Sequence, residues 1–140
     1  MAQYTSIAPQ TVPVGGNVTF ENEAVRATPA VLHRAGSGVF TLRGCTEQCR
    51  ALYRVSFGAN IAVPTGETVG PISVAISLAG EALGSSTAIV TPAAVEDYWN
   101  IYVSDIIPVP RGCCVTVGVR NTSDIPIDVQ NASLIVERIA

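Results

Sequence analysis

The chain has 140 residues, of which 48% are hydrophobic and only 14% charged, with a net charge of −3; an ordinary domain carries about 25% charged residues. A charge deficit of this kind implies either a membrane protein or a chain that hides surface in an oligomer. The membrane alternative fails, because a spanning helix needs about 20 consecutive apolar residues and the best candidate, Ile72 to Leu83, is broken by Ser73, Ser77, Gly80 and Glu81.

The eight basic residues are all arginines, spread from Arg26 to Arg138 without a cluster. This excludes the footprint of a nucleic-acid binder. Lysine is depleted in interface cores and arginine enriched, so the pattern fits an assembly subunit; codon bias in a GC-rich genome is the other reading. The start, Met1-Ala2-Gln3-Tyr4-Thr5-Ser6, has no basic region followed by an apolar run, and no signal peptide is expected from it. Length predicts one domain over 1–140, with 1–16 as an N-terminal arm.

In chain order, short alternating runs are separated by Gly, Pro, Asn and Asp. Thr11 to Phe20 reads as two short strands joined at Gly15-Gly16, and Ala30 to Arg34 as an edge strand introduced by Pro29. Val39 to Arg43 follows. In the next run Ala51, Tyr53, Val55, Phe57, Ala59 and Ile61 share one face, while Arg50, Arg54, Ser56 and Asn60 share the other. That is the period of a half-buried antiparallel strand. Ile72 to Ala79 alternates, Gly80-Glu81 predicts a hairpin turn, and Ala88 to Thr91 the returning strand.

Pro92 to Asp97 is the stretch where a helical turn is expected. Tyr98 to Val103 alternates, with Trp99, Ile101 and Val103 on one face, and Pro108 and Pro110 bracket a loop. Cys113 to Arg120, Ile125 to Gln130 and Ser133 to Ile139 predict three further strands. About eight to ten strands in a chain of this length suit an all-β, two-sheet antiparallel jelly-roll sandwich.

Three segments carry a family likeness. Gly38-x-Phe40, Tyr53-x-Val55-x-Phe57 and Val74-Ala75-Ile76-Ser77-Leu78-Ala79-Gly80-Glu81 together resemble the globular-head pattern of the complement and tumour-necrosis-factor jelly-roll superfamily, over roughly residues 17 to 137. The sequence departs from that pattern at Ala51, where the family usually has glycine. Thr91-Pro92-Ala93-Ala94-Val95-Glu96, Pro110-Arg111-Gly112-Cys113-Cys114 and Asn131-Ala132-Ser133-Leu134-Ile135-Val136-Glu137-Arg138 are similar to strings in small uncharacterised proteins of Firmicutes and their phages.

The resemblance implies a homotrimer. Related jelly rolls serve as receptor ligands, as tips of collagen-like stalks on bacterial surfaces and spores, and as phage virion decoration or fibre heads. Phe40, Tyr53, Val55, Phe57, Tyr98, Trp99 and Tyr102 are the expected core or subunit-interface residues, since aromatics concentrate in both places.

Residues with chemistry are few. Cys45-x-x-x-Cys49 and the Cys113-Cys114 pair are the candidate metal ligands, and strand counting places both at one end of the sandwich. Neighbours on a strand point to opposite faces, and the spacing is not that of a two-residue zinc knuckle. A Cys45–Cys49 disulfide, a bridge from that loop to Cys114, and reduced, mostly buried thiols are the other readings. His33, the one histidine, has no partner motif in sequence and reads as a solvated or hydrogen-bonded structural residue rather than a general base. Glu96 and Asp97 read as turn-capping acids rather than a calcium loop, which needs several spaced oxygen ligands.

The expected function is therefore non-enzymatic and without a cofactor. The chain reads as a structural or interaction subunit on a phage virion or on a bacterial cell or spore surface. Its partners would be further copies of itself and capsid or surface-layer proteins, with no nucleic acid and no membrane insertion. A carbohydrate- or receptor-binding module, with glycan as partner, is the alternative. A cupin-type metalloenzyme is a third, opposed by the single histidine.

Overall fold

A computed structural model describes residues 2–25, 30–44, 48–112 and 114–139. Its strands are β1 (Ala2–Ser6), β2 (Gln10–Val12), β3 (Asn22–Val25), β4 (Val31–His33), β5 (Phe40–Arg43), β6 (Arg50–Ala62), β7 (Ile72–Leu78), β8 (Glu81–Ala82), β9 (Ala88–Val90), β10 (Trp99–Pro110), β11 (Cys114–Asn121) and β12 (Ile127–Arg138), with one 3-10 turn at Gly84–Ser86. They form two antiparallel sheets. The first runs β10-β6-β12-β1-β3, with β2 also paired to β12; the second runs β4-β5-β11-β7-β8, with β9 also paired to β7. Neighbours in each sheet are mostly distant in sequence, as a jelly-roll sandwich requires.

Period-two burial builds the core. Along β6, Ala51, Tyr53, Val55, Phe57, Ala59 and Ile61 face inward and are 0–2% exposed. Across the gap the Phe20 ring meets Phe40 edge-on at 5.4 Å and Phe57 at 6.1 Å. Offset and edge-to-face pairs of this kind are the favoured aromatic geometry. Among the described residues no helix is long and apolar enough to cross a membrane.

The structure revises several sequence expectations. The stretch expected to be an arm joins the sandwich over its described residues: β1 lies inside the first sheet, between β12 and β3, with Ala2, Tyr4 and Ser6 buried. Thr11 to Phe20 is not a strand pair; after β2 it touches β11 and the β4–β5 loop through isolated bridges, Asn17 to Arg120 and Phe20 to Ser37. Pro92 to Asp97 forms bends and a turn rather than a helical turn. The β7–β8 hairpin turns on Ala79-Gly80, one residue early, with φ of 52° and 86°. Both central residues at positive φ define the tight turn that matches strand twist.

Pro108 and Pro110 do not bracket a loop but continue β10, opposite Leu52 and Arg50 of β6. This is tolerated because β10 is an edge strand, where a missing N–H can face the open side. The last two expected strands are one, β12, interrupted by a register shift between Gln130 and Ser133. Asn131 absorbs that bulge with a φ of 56°.

Candidate functional site

The long strands β6, β10 and β12 give the first sheet a broad outward face. The residues that alternate with the core positions form it: Leu52, Arg54, Ser56, Gly58 and Asn60 on β6, paired with Pro108, Ile106, Ser104, Tyr102 and Asn100 on β10. From β12 come Ser133, Ile135 and Glu137. Tyr102 is 66% exposed and Ile106 48%. Of the charges on this face, Arg54 and Glu137 lie 3.9 Å apart and offset each other, while Arg50 and Asp128 stand toward its ends. The Ser56 and Ser104 hydroxyls are 3.2 Å apart.

Toward one end, a row of amides crosses three strands. Asn100 Nδ2 donates to Asn60 Oδ1 at 3.2 Å, and Asn60 Nδ2 donates to Asn131 Oδ1 at 3.4 Å. No local pattern signals this row, because its members are 40 and 71 residues apart. Only pairing register brings them together.

The aromatic and apolar residues singled out from sequence divide into two groups. Phe40, Tyr53, Val55 and Phe57 lie inside the sandwich, at most 1% exposed. The Tyr53 hydroxyl reaches across to donate to the Arg43 carbonyl at 2.8 Å. Trp99 shares the parity of buried Ile101 and Val103 but lies at the strand end and is 48% exposed. Its indole N–H donates to Asp97 Oδ2 at 3.3 Å. Tyr98 is half-buried in the loop before it, and Tyr102 stands on the outward face.

Glu96 caps a turn, as a hydrogen-bond acceptor for the Thr65 backbone N–H at 3.2 Å and the Thr65 hydroxyl at 3.3 Å. Its backbone has a φ of 56°. Asp128 of β12 is its carboxylate neighbour. Hydrogen bonding with Asp128 holds the Glu96 carboxyl below the usual range. Burial pushes the Asp128 carboxyl up, opposed by the Thr11 hydroxyl, which donates to Asp128 Oδ1 at 2.7 Å, and reinforced by Glu96. Burial and the two nearby acids raise the Tyr98 phenol.

The loops carrying the cysteines do meet at one end of the sandwich. The Arg111 N–H donates to the Cys49 carbonyl at 3.0 Å, and the Gly112 N–H to the Gly44 carbonyl at 3.3 Å. Cys45 and Cys113 lie outside the described residues. Cys49 and Cys114 are free and exposed rather than buried. Cys114 has the outward parity of β11, and Cys49 lies just before β6 begins. Among the described residues no three His, Cys, Asp or Glu side chains gather as a metal cluster.

On the far side of the sandwich from β10, β3 of the first sheet faces β4 of the second. A cavity of about 460 Å³ opens there, lined by Tyr4, Glu23, His33, Arg34, Ser37 and Thr41 among others. The His33 side chain is fully buried. Its ring stacks on Phe40 at 4.3 Å, and Nε2 lies 2.8 Å from the Ser37 carbonyl. Nδ1 is buried without a hydrogen-bond partner, 3.6 Å from Glu23 Oε1. Sequence reading foresaw a hydrogen-bonded histidine but not Glu23, which reaches it from the other sheet.

These two sheets and their strand order define an all-β jelly-roll sandwich. Solved structures similar to it include the globular domain of zebrafish complement 1qA protein, at 12% identity and a TM-score of 0.62, covering 99% of this chain and 96% of that one. Murine APRIL is similar at 10% identity and a TM-score of 0.61, covering 97% and 98%. Rabbit GITRL is similar at 14% identity and a TM-score of 0.52, covering 100% and 95%. At these identities the likeness is one of fold. No protein-family model and no curated protein sequence matches the chain.

Proposed function

We propose that the chain is a non-enzymatic interaction subunit that assembles as a homotrimer through the outward face of β6, β10 and β12. The observation that carries this reading is the face itself, where Tyr102 and Ile106 are 66% and 48% exposed and Arg54 is paired with Glu137. A surface whose middle carries an exposed Tyr and Ile beside a paired Arg and Glu resembles an interface core, which is depleted in unpaired charge and enriched in aromatics. It also accounts for the 14% charged content of the chain. The jelly-roll fold, shared with complement 1qA, APRIL and GITRL, supports the same reading.

The setting proposed for the trimer is the surface of a phage particle or of a bacterial cell or spore. It rests on the sequence resemblance, and the neighbouring genes test it: terminase and portal genes support a virion, spore or collagen-like genes a cell surface. Light scattering at micromolar concentration tests the assembly. A mass about three times the 14.6 kDa chain is expected; a monomer alone refutes it.

One observation favours a second reading. Tyr102 beside the Asn100–Asn60–Asn131 row sets an aromatic ring next to amide donors and acceptors, the chemistry of a glycan platform. A glycan array on the assembled protein separates the two. Glycan binding that is lost on changing Tyr102 while the mass stays unchanged favours the platform.

A further inference from the structure

The geometry points to a zinc-type divalent metal site at the open side of the sandwich, with His33 Nδ1 and Glu23 Oε1 as its two protein ligands. A carbonyl oxygen can only accept, so the 2.8 Å contact with Ser37 fixes the ring hydrogen on His33 Nε2. In the neutral ring Nδ1 then presents a bare lone pair. It faces a carboxylate oxygen at 3.6 Å, too far for a hydrogen bond. Two electron-rich atoms aimed at one gap are stabilised by a cation between them.

The separation suits a metal. With zinc bonds of about 2.0–2.2 Å to nitrogen and oxygen, an N···O distance of 3.6 Å corresponds to an angle of about 120° at the ion. Nδ1 is buried and has no hydrogen-bond partner, so its lone pair is left unsatisfied unless a cation stands beside it. A backbone carbonyl on the other ring nitrogen is the usual outer partner of a metal-bound imidazole, setting its tautomer and orientation. The stacked Phe40 ring holds that orientation. Imidazole with carboxylate selects zinc and its neighbours over calcium or magnesium.

The remaining coordination positions open into the 460 Å³ cavity, where water or a ligand oxygen completes the shell beside Ser37, Thr41 and Arg34. The site joins the edge strands of the two sheets, β3 and β4, opposite the β10 edge. It is independent of the trimer reading.

Since His33 is the one histidine, nitrogen-15 NMR of the labelled imidazole in the intact chain reads the site directly. The expected spectrum at neutral pH shows Nε2 protonated and Nδ1 bare. One equivalent of Zn2+ shifts Nδ1 and leaves Nε2 protonated. E23Q, which keeps the side-chain shape, and H33N should each weaken zinc binding by at least about tenfold, the scale on which even outer-shell changes act. If H33N fails to fold, the wild-type spectrum and E23Q decide. Both nitrogens protonated without response to zinc would mean a proton, not a metal, joins the pair, and overturns the site. So does zinc binding with an unmoved His33 spectrum, as at the Cys49 or Cys114 thiols, or an E23Q affinity equal to wild type.

Discussion

Tyr102 and Gly58 are cross-strand partners, and a Cβ added to Gly58 would stand 3.8 Å from Tyr102 Cδ2. An added Cβ there would make no more than an ordinary contact with the ring, and the phenol stands over β6 among serines, amides and aliphatic side chains. In the proposed trimer this ring, 66% exposed in the single chain, is the anchor for a second copy.

Tyr102→Arg should therefore disperse the trimer. The ring is exposed in the single chain, so the fold should survive, with an unchanged far-ultraviolet circular dichroism spectrum. Loss of a central aromatic anchor costs association about 2 kcal/mol or more. Light scattering over a dilution series checks it, and a trimer of wild-type affinity would show that this face is not the interface.

Asn121 is a second critical contact, and it is internal. Its side chain is 0% exposed, and Nδ2 donates to the carbonyls of Val12, Pro13 and Ile125 at 3.2, 3.3 and 3.0 Å. Oδ1 accepts from the Ser123 N–H at 2.9 Å. The amide thus ties the ends of β2 and β11 to the turn before β12. Asn121→Leu strands several of these groups and should cost about 2–3 kcal/mol. Urea unfolding at fixed protein concentration measures it; a loss below 1 kcal/mol would mean water replaces the amide.

Two glycines should respond in opposite ways. A Cβ at Gly118 would lie 2.7 Å from the Gly38 carbonyl oxygen, a backbone atom that cannot swing away. Gly118→Ala should destabilise the fold by about 1–3 kcal/mol through overpacking. A Cβ at Gly70 meets nothing within 4 Å. Gly70→Ala should leave stability unchanged or raise it by up to about 1 kcal/mol, by restricting the unfolded chain. Paired thermal melts compare them.

The acid pair makes a pH prediction. Asp128 takes up its proton at higher pH in the folded chain than in the unfolded chain. Its ionised form therefore opposes folding at neutral pH, and that penalty is relieved as pH falls through its raised folded value. Glu96 acts in reverse: it supports folding above its ordinary 4.5 and loses that support as pH falls through its lowered folded value. Asp128→Asn keeps an oxygen for Thr11 and offers Glu96 a permanent donor. It should raise the Tm at pH 7, and the gain over wild type should shrink as Asp128 protonates on acidification. A gain that does not change with pH would rule out the raised Asp128 carboxyl.

Alternation made the core of β6 legible, because from Ala51 to Ala59 each buried core residue is followed by a more exposed one, and Pro29 marked β4 as an edge strand. Other features were hidden for identifiable reasons. β1 looked like an arm because its apolar positions, Ala2 and Tyr4, are too few to signal a central strand. The turn at Glu96 resembled a helix start because a capping acid looks the same in sequence whether it caps a helix or a loop.

Composition and period-two patterning by themselves determined a low-charge, two-sheet antiparallel sandwich, since side-chain alternation is a local property of extended backbone. Tertiary structure alone decided which strands are neighbours. Pairing register set Tyr102 over Gly58 and aligned Asn100, Asn60 and Asn131. The closing of one sheet over the other brought Glu23 to His33. Each of these contacts joins residues from different strands, and nothing in the local sequence around either partner encodes the other.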